Sequence, residues 1–211
     1  LSEQTSTNRF VLFCVPPSGL QRDADTVRTF VQSLVREEIS KAILVSSTAV
    51  YAESNGECVT AETDPHPATE RAKKLLDIES AWAEGGEQFA IVRLAGLYGP
   101  GRVIGKQKLL ASEPLSGNPE QWLNLIHIDD AAELVVECLT KPTHHIELGS
   151  DMNPIKRREY YEYVSEQIGS ASPIFSESKK SASLGKRCNS GATYERIAWS
   201  PRYPHFHEGI N

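Results

Sequence analysis

The sequence predicts an α/β fold, a doubly wound parallel sheet with a small carboxyl-terminal lobe. Three observations predict it. Runs of apolar residues at 10–15, 43–45 and 89–94 lack the alternation of half-exposed strands and read as strands buried on both faces. Amphipathic helical stretches alternate with them, the order of right-handed parallel crossovers. The stretch Ile-Leu-Val-Ser-Ser-Thr-Ala-Val-Tyr, residues 43–51, passes from buried strand into the hydroxyls of Ser46, Ser47 and Thr48. Such a break is expected at the carboxyl end of a strand, where open α/β sheets bind ligands. Taken alone, those residues read more readily as a strand end that starts a loop, and the rest of the chain moves that reading.

The elements follow in order. The first strand stops at Pro16-Pro17-Ser18-Gly19, which neither helix nor strand continues through. Residues 25–37 carry Val27, Phe30, Val31, Leu34 and Val35 at helical spacing. After the strand at 43, residues 52–66 read as a long polar loop. The next helix, 67–83, has Ala72, Leu75, Leu76, Glu79 and Trp82 along one side and ends at Gly85-Gly86. Glu79 on that apolar stripe calls for a cap or a partner. The strand at 89–94 runs out into Ala-Gly-Leu-Tyr-Gly-Pro-Gly-Arg, residues 95–102, and 103–125 leave the sheet. A short strand over 125–130 ends in acids that start a helix at 131–139. A strand over 144–148 and a tyrosine-bearing helix over 157–168 follow, with Pro154 near that helix's first turn. The remainder is rich in Ser and Lys and closes on a Trp-Ser-Pro-Arg-Tyr-Pro tail. His127 beside Asp129 and Asp130 reads as a hydrogen-bonded cap, and Tyr160, Tyr161 and Tyr163 read as helix packing.

Composition excludes several classes. Hydrophobic residues are 39%, charged residues 24% and net charge −6, which gives nucleic acid or an anionic membrane nothing to attract. No apolar run is long enough to span a bilayer, and no signal-peptide pattern is present. The four cysteines form no C-x-x-C pair, so no metal site and a reducing, cytoplasmic compartment are expected. Cys14 and Cys138 read as buried small hydrophobes.

Four stretches together resemble one family. Val-Ser-Ser-Thr-Ala-Val-Tyr (45–51), Val-Arg-Leu-Ala-Gly-Leu-Tyr-Gly-Pro-Gly-Arg (92–102), Leu-Ile-His-Ile-Asp-Asp (125–130) and the Trp-x-Pro-Arg-Tyr-Pro tail are similar to the extended short-chain dehydrogenase/reductases. That family is also known as the NAD-dependent epimerase/dehydratases. The resemblance covers nearly the whole chain, roughly residues 10–209. It implies a partial Rossmann-like sheet over 1–102 and 125–150, and a small substrate-binding lobe over 103–124 and 151–211. It implies NAD or NADP as cofactor and a carbonyl or sugar-like substrate. The partners expected are thus the dinucleotide and a small molecule, not nucleic acid or membrane, with a homodimer left open. Ser47 stands at the family's catalytic hydroxyl, four residues before the tyrosine of the Val-Tyr pair. Pro16, Pro17, Ser46, Leu94, Ala95 and Gly96 stand at cofactor positions. Thr48, Tyr98 and Arg102 stand toward the substrate.

Two departures stand against that pattern. The family's acid/base tyrosine, followed four residues later by a lysine that lowers its pKa, opens the helix after the long loop. Here that helix holds no tyrosine; Arg71 and Leu75, or Thr69 and Lys73, occupy the two positions. Arg71 and Lys73 are left as the cationic groups at the reacting centre. No glycine-rich phosphate turn follows a strand in this sequence, and the strand at Phe10 aligns with the family's fourth. The first three strand–helix units are expected upstream of Leu1, and this chain alone is expected to bind NAD(P) weakly or not at all. The two functional expectations are an NAD(P)-dependent oxidoreductase or epimerase/dehydratase-like protein, and a non-catalytic cofactor-sensing or scaffold subunit.

Overall fold

The structure, a computed structural model, describes residues 9–14, 23–37, 39–176 and 182–210. In chain order it begins with β1 (Phe10–Phe13), α1 (Ala24–Val35), β2 (Lys41–Ser47), β3 (Asn55–Val59), α2 (Glu70–Ala83), β4 (Phe89–Leu94) and β5 (Gly96–Tyr98). It continues with α3 (Lys106–Leu110), β6 (Trp122–Leu123), β7 (Leu125–His127), α4 (Ile128–Thr140), β8 (Ile146–Gly149) and β9 (Ile155–Lys156). It closes with α5 (Arg157–Ile168), β10 (Gly185–Cys188), α6 (Gly191–Ile197) and the single turn α7 (Phe206–Gly209).

The main sheet is parallel throughout, in the order β1-β2-β4-β8. The four strands expected to share one sheet do so. Alternation within each strand sorts its side chains. Ala42 and Leu44 of β2 and Phe89 and Ile91 of β4 pack with Val27, Val31 and Leu34 of α1 and Ile78, Ala81 and Trp82 of α2. Ile43, Ala90, Val92 and Leu94 pack on the other face with Ala131, Leu134, Val135 and Cys138 of α4 and Tyr194 and Ile197 of α6. Both faces of the two central strands are therefore buried, which is why their sequences run apolar without interruption.

Three of the helices, α1, α2 and α4, start where a side chain satisfies one of their first amides. Asp23 accepts from the Thr26 amide to open α1, and Thr69 accepts from the Ala72 amide at 3.1 Å to open α2. The second cap sets the start of α2 at Glu70, later than the expected 67. His127 accepts from the Asp129 amide, so α4 begins at Ile128 and the strand before it ends three residues earlier than expected. Val35, expected on the core stripe of α1, is 51% exposed, because Val31 and Leu34 already fill the arc that faces the sheet.

Three further differences share one cause, contacts between residues far apart in the chain. The 52–66 loop contains β3, which pairs in parallel with β10. The Ser- and Lys-rich stretch near the end supplies that partner strand and α6, which packs on the main sheet. The strand at 125 pairs with β5, outside the main sheet. Cys14, expected buried, is exposed. It follows β1, which pairs on one side only among the described residues and leaves Phe10 and Leu12 44% and 49% exposed. A separate cluster of Tyr98, Leu109, Leu115, Tyr160, Tyr161 and Phe206, with others, builds the small lobe.

One polar cluster lies inside the main core. Arg93 on β4 and Glu79 on α2 are 1% and 2% exposed. The guanidinium meets the carboxylate through Nη2 at 2.6 Å and Nε at 3.1 and 3.2 Å, and Nη1 donates to the Tyr51 hydroxyl at 2.8 Å. Tyr51 in turn donates to the Thr60 carbonyl, and Ser46 donates to Glu79 at 2.5 Å. Burial pulls the Arg93 pKa down, but the Glu79 carboxylate and the Tyr51 hydroxyl together outweigh it and the net displacement is upward. Leaving either charge buried without its partner costs roughly 3–5 kcal/mol. Glu79→Ala is expected to lower stability by that amount in denaturant melts, and the apolar pair Glu79→Leu with Arg93→Met by clearly less.

Candidate functional site

Because all four main strands run the same way, their carboxyl ends share one edge. Register places Ser47 beside Leu94 and Leu94 beside Gly149. Ser46 and Ser47 lie on opposite faces of β2, since side chains alternate. Ser46, expected at the cofactor, instead faces α2 and is committed to Glu79. Ser47 ends the strand half-buried and accepts from the Ala49 amide at 3.2 Å, capping a single 3-10 turn over Thr48–Val50. Its hydroxyl hydrogen is thereby left to donate elsewhere. Thr48 is buried in that turn, with its side chain toward the Cys188 thiol.

Past β4 the chain stays close to its neighbours. Leu94 and Ala95 are buried, and the Ala95 amide donates to the Gly149 carbonyl at 2.9 Å. The Gly96 amide donates to the Asn124 carbonyl, and a Cβ at Gly96 would stand 3.0 Å from that same oxygen. The backbone approach thus has no spare room for a side chain. Pro16 and Pro17 lie outside the described residues.

A cleft of about 460 Å³ is lined by Gly96, Leu97, Arg102, Val103, Ile104 and Lys106, with Gly101 and Gln107. Arg102 is exposed, with its Nε donating to the Leu97 carbonyl at 3.2 Å. Gly99 lets the turn before it close, since a Cβ there would stand 2.9 Å from both His127 and Ile128. Tyr98, expected at the substrate, is packed fully inside the small lobe instead. Its hydroxyl donates to the His205 carbonyl at 3.4 Å, and burial pushes its pKa upward.

At the amino end of α2, Arg71 is exposed and Lys73 pairs with Glu70 at 2.8 Å. This helix packs against the 48–50 turn, with Leu75 against the cluster that holds Val50 and Tyr51. The structure adds residues that no local pattern marks. Lys186 of β10 donates to the Tyr51 carbonyl at 2.8 Å, and burial lowers its pKa. Asn124 joins β5 to β10 by accepting from the Cys188 amide at 2.6 Å and donating to the Lys186 carbonyl. Lys186 stands 135 residues from its acceptor, in a stretch whose composition suggests only surface.

A model of the NAD dependent epimerase/dehydratase family matches residues 17–149, more than half of the chain. The chain belongs to that family. Protein YeeZ of Escherichia coli strain K12 is 28% identical over 183 residues, covering 84% of this chain and 64% of that protein. The chain thus spans under two thirds of the length of the curated relatives it matches. A UDP-N-acetylglucosamine 4-epimerase from Methanobrevibacter ruminantium M1, in complex with UDP-N-acetylmuramic acid, superposes with a TM-score of 0.80 at 15% identity, covering 96% of this chain and 74% of that one. A UDP-glucuronic acid 4-epimerase from Bacillus cereus, in complex with NAD, superposes with a TM-score of 0.72 at 18% identity, covering 87% and 63%. Both likenesses show the shared fold.

Within the epimerase/dehydratase fold, the two neighbouring serines divide structure from opening. Ser46→Ala would take the shorter of two hydrogen bonds from a buried Glu79 oxygen and leave it only Arg93 Nε at 3.2 Å, at a cost of about 1–3 kcal/mol. Ser47→Ala would remove only a turn cap, about 1 kcal/mol or less. Chemical denaturation of the two variants is expected to rank Ser46→Ala as the more damaging.

Proposed function

We propose that the chain provides the nicotinamide-side edge and the substrate cleft of an NAD(P)-dependent epimerase/dehydratase-like oxidoreductase acting on a carbonyl or sugar-like substrate. The observation that carries this reading is the cleft that begins at Gly96, on the sheet's carboxyl edge, and ends at the cations Arg102 and Lys106. Its two ends suit two parts of one molecule, a reacting carbon near the edge and an anionic group farther out. The UDP-sugars named for the related folds have that form.

The residues present fit one end of a dinucleotide. Leu94, Ala95 and Gly96 offer a close backbone wall where a flat ring can approach, and Thr48 closes the neighbouring turn. The bound nicotinamide would supply hydride transfer. Ser47 would donate to the substrate oxygen that changes its proton, and Arg71 or Lys73 would stabilise negative charge on that oxygen. Arg102 would hold the substrate's anionic part. The sequence has no glycine-rich turn to cradle the pyrophosphate. Calorimetry on this 211-residue chain is therefore expected to show no NADH or NADPH binding at micromolar affinity or tighter.

The test of the chemistry uses full-length protein with NAD or NADP and a panel of carbonyl and UDP-sugar substrates, followed by absorbance and by product analysis. Loss of one such donor typically costs a hundred- to a thousandfold in rate, about 3–4 kcal/mol. Ser47→Ala is expected to fall by that factor, and equal turnover in the two proteins removes Ser47 from the mechanism. The absent tyrosine in α2 favours a second reading, a non-catalytic cofactor-binding subunit. A wild type that binds cofactor yet turns over nothing in the panel would select it.

A further inference from the structure

Where β8 ends, the chain leaves the sheet through Ser150 and Asp151, and two buried carboxyl groups meet there. Asp130, in the first turn of α4, is fully used: its oxygens accept from the amides of Arg202 and Tyr203, each at 2.9 Å. Asp151 is 1% exposed. Its own amide donates to the Leu125 carbonyl at 2.7 Å, and its Oδ1 accepts from the Asn153 amide at 3.0 Å. Its Oδ2 is buried without a hydrogen-bond partner among the described residues. The titratable groups facing it are Asp130 from α4, Tyr98 from β5, Tyr194 from α6 and Cys188 from β10. None of these is a cation, and Asp151 forms no ion pair among the described residues. An ionised carboxylate here would have exchanged its water for one amide, with a second negative charge alongside.

The same place anchors the chain's tail. The Asn153 side-chain amide donates to the Asp151 carbonyl at 3.2 Å and to the Pro204 carbonyl at 2.6 Å. Residues 202–204 are therefore held from two sides, by Asp130 and by the Asp151–Asn153 turn. The Tyr203 ring lies 3.9 Å from that of His127, which itself faces the Asp129 amide.

We propose that Asp151 is carried as the neutral acid and acts as a pH-governed clasp on the 202–204 tail. Burial first, and Asp130 in addition, push its carboxyl up to about 8, against the pull of the Asn153 amide and of its own. Asn153 ties the Asp151 turn to Pro204, so release of the tail would loosen that turn, admit water to the carboxyl and return it toward its ordinary 3.8. A raised acid stabilises the closed form fully only below the ordinary value, and that stability is lost as pH rises toward the closed-state value. From about pH 4 to about pH 8 opening releases a proton, so the open population rises by as much as tenfold per unit, and above about 8 the slope vanishes. The inference concerns the tail and stands apart from the proposed chemistry.

Hydrogen exchange of the Arg202 and Tyr203 amides, corrected for the intrinsic pH dependence of exchange, tests it on the full chain between about pH 5 and 9. Wild type is expected to lose protection with the slope above and to level off near 8, whereas Asp151→Asn is expected to show no slope. Equal slopes in wild type and Asp151→Asn, or a flat wild type, overturn the proposal. If Asp151→Asn does not fold, a carbon-13 titration of the wild-type Asp151 carboxyl decides instead. A midpoint at or below about pH 5, near ordinary carboxylates, overturns the clasp, and one near 8 supports it.

Discussion

The ion pair between Glu79 and Arg93 is the interaction on which the arrangement of the site depends. It joins the central strand β4 to α2, the helix that packs against the Ser47 turn, and it does so inside the core. Charges are costly to bury, and these two are tolerated because each is saturated: the guanidinium by a carboxylate and a phenol, the carboxylate by a guanidinium and the Ser46 hydroxyl. A greasy contact at the same place would hold α2 against the sheet but would let it slide or rotate by part of a turn. A forked hydrogen bond does not permit that. The position of the start of α2 relative to the sheet's carboxyl edge therefore rests on directional bonds two helical turns away.

Much of the main sheet was legible in the residues, and for a physical reason. A parallel strand covered on both faces must be continuously apolar, so β2 and β4 announce themselves, and the amphipathic helices between them have one periodicity to read. Glu79 on an apolar stripe was visible as an anomaly; its partner was not, because Arg93 lies inside a strand and nothing local says which way it faces. β3, with the sequence Asn-Gly-Glu-Cys-Val, has the composition of a loop and becomes a strand only because Gly185–Cys188 lies beside it. The caps at Thr69 and His127 moved helix boundaries by amounts that a periodicity cannot resolve.

The candidate site divided differently. Register sets Ser47 and Leu94, two positions that the resemblance marks, side by side at the carboxyl edge, since a motif at a strand end is carried with the strand. Side-chain direction was not legible. Ser46 and Tyr98 belong to the same motifs as Ser47 and Arg102, yet one is spent on Glu79 and the other on the small lobe. Lys186 and Asn124, which tie the later chain to this edge, have no local mark at all.

The pairing of β3 with β10 sets an order of events during synthesis. Asn55 and Gly185 are register partners 130 positions apart, so the first emerges long before the second exists. At roughly 5–20 residues per second the wait is on the order of ten seconds. Over that interval the segment beside the Ser47 turn has no strand to lie against, and Lys186 is not yet available to hold the Tyr51 carbonyl. The sheet edge can form while the chain is still growing; the wall that β3 and β10 build beside it is added at the end.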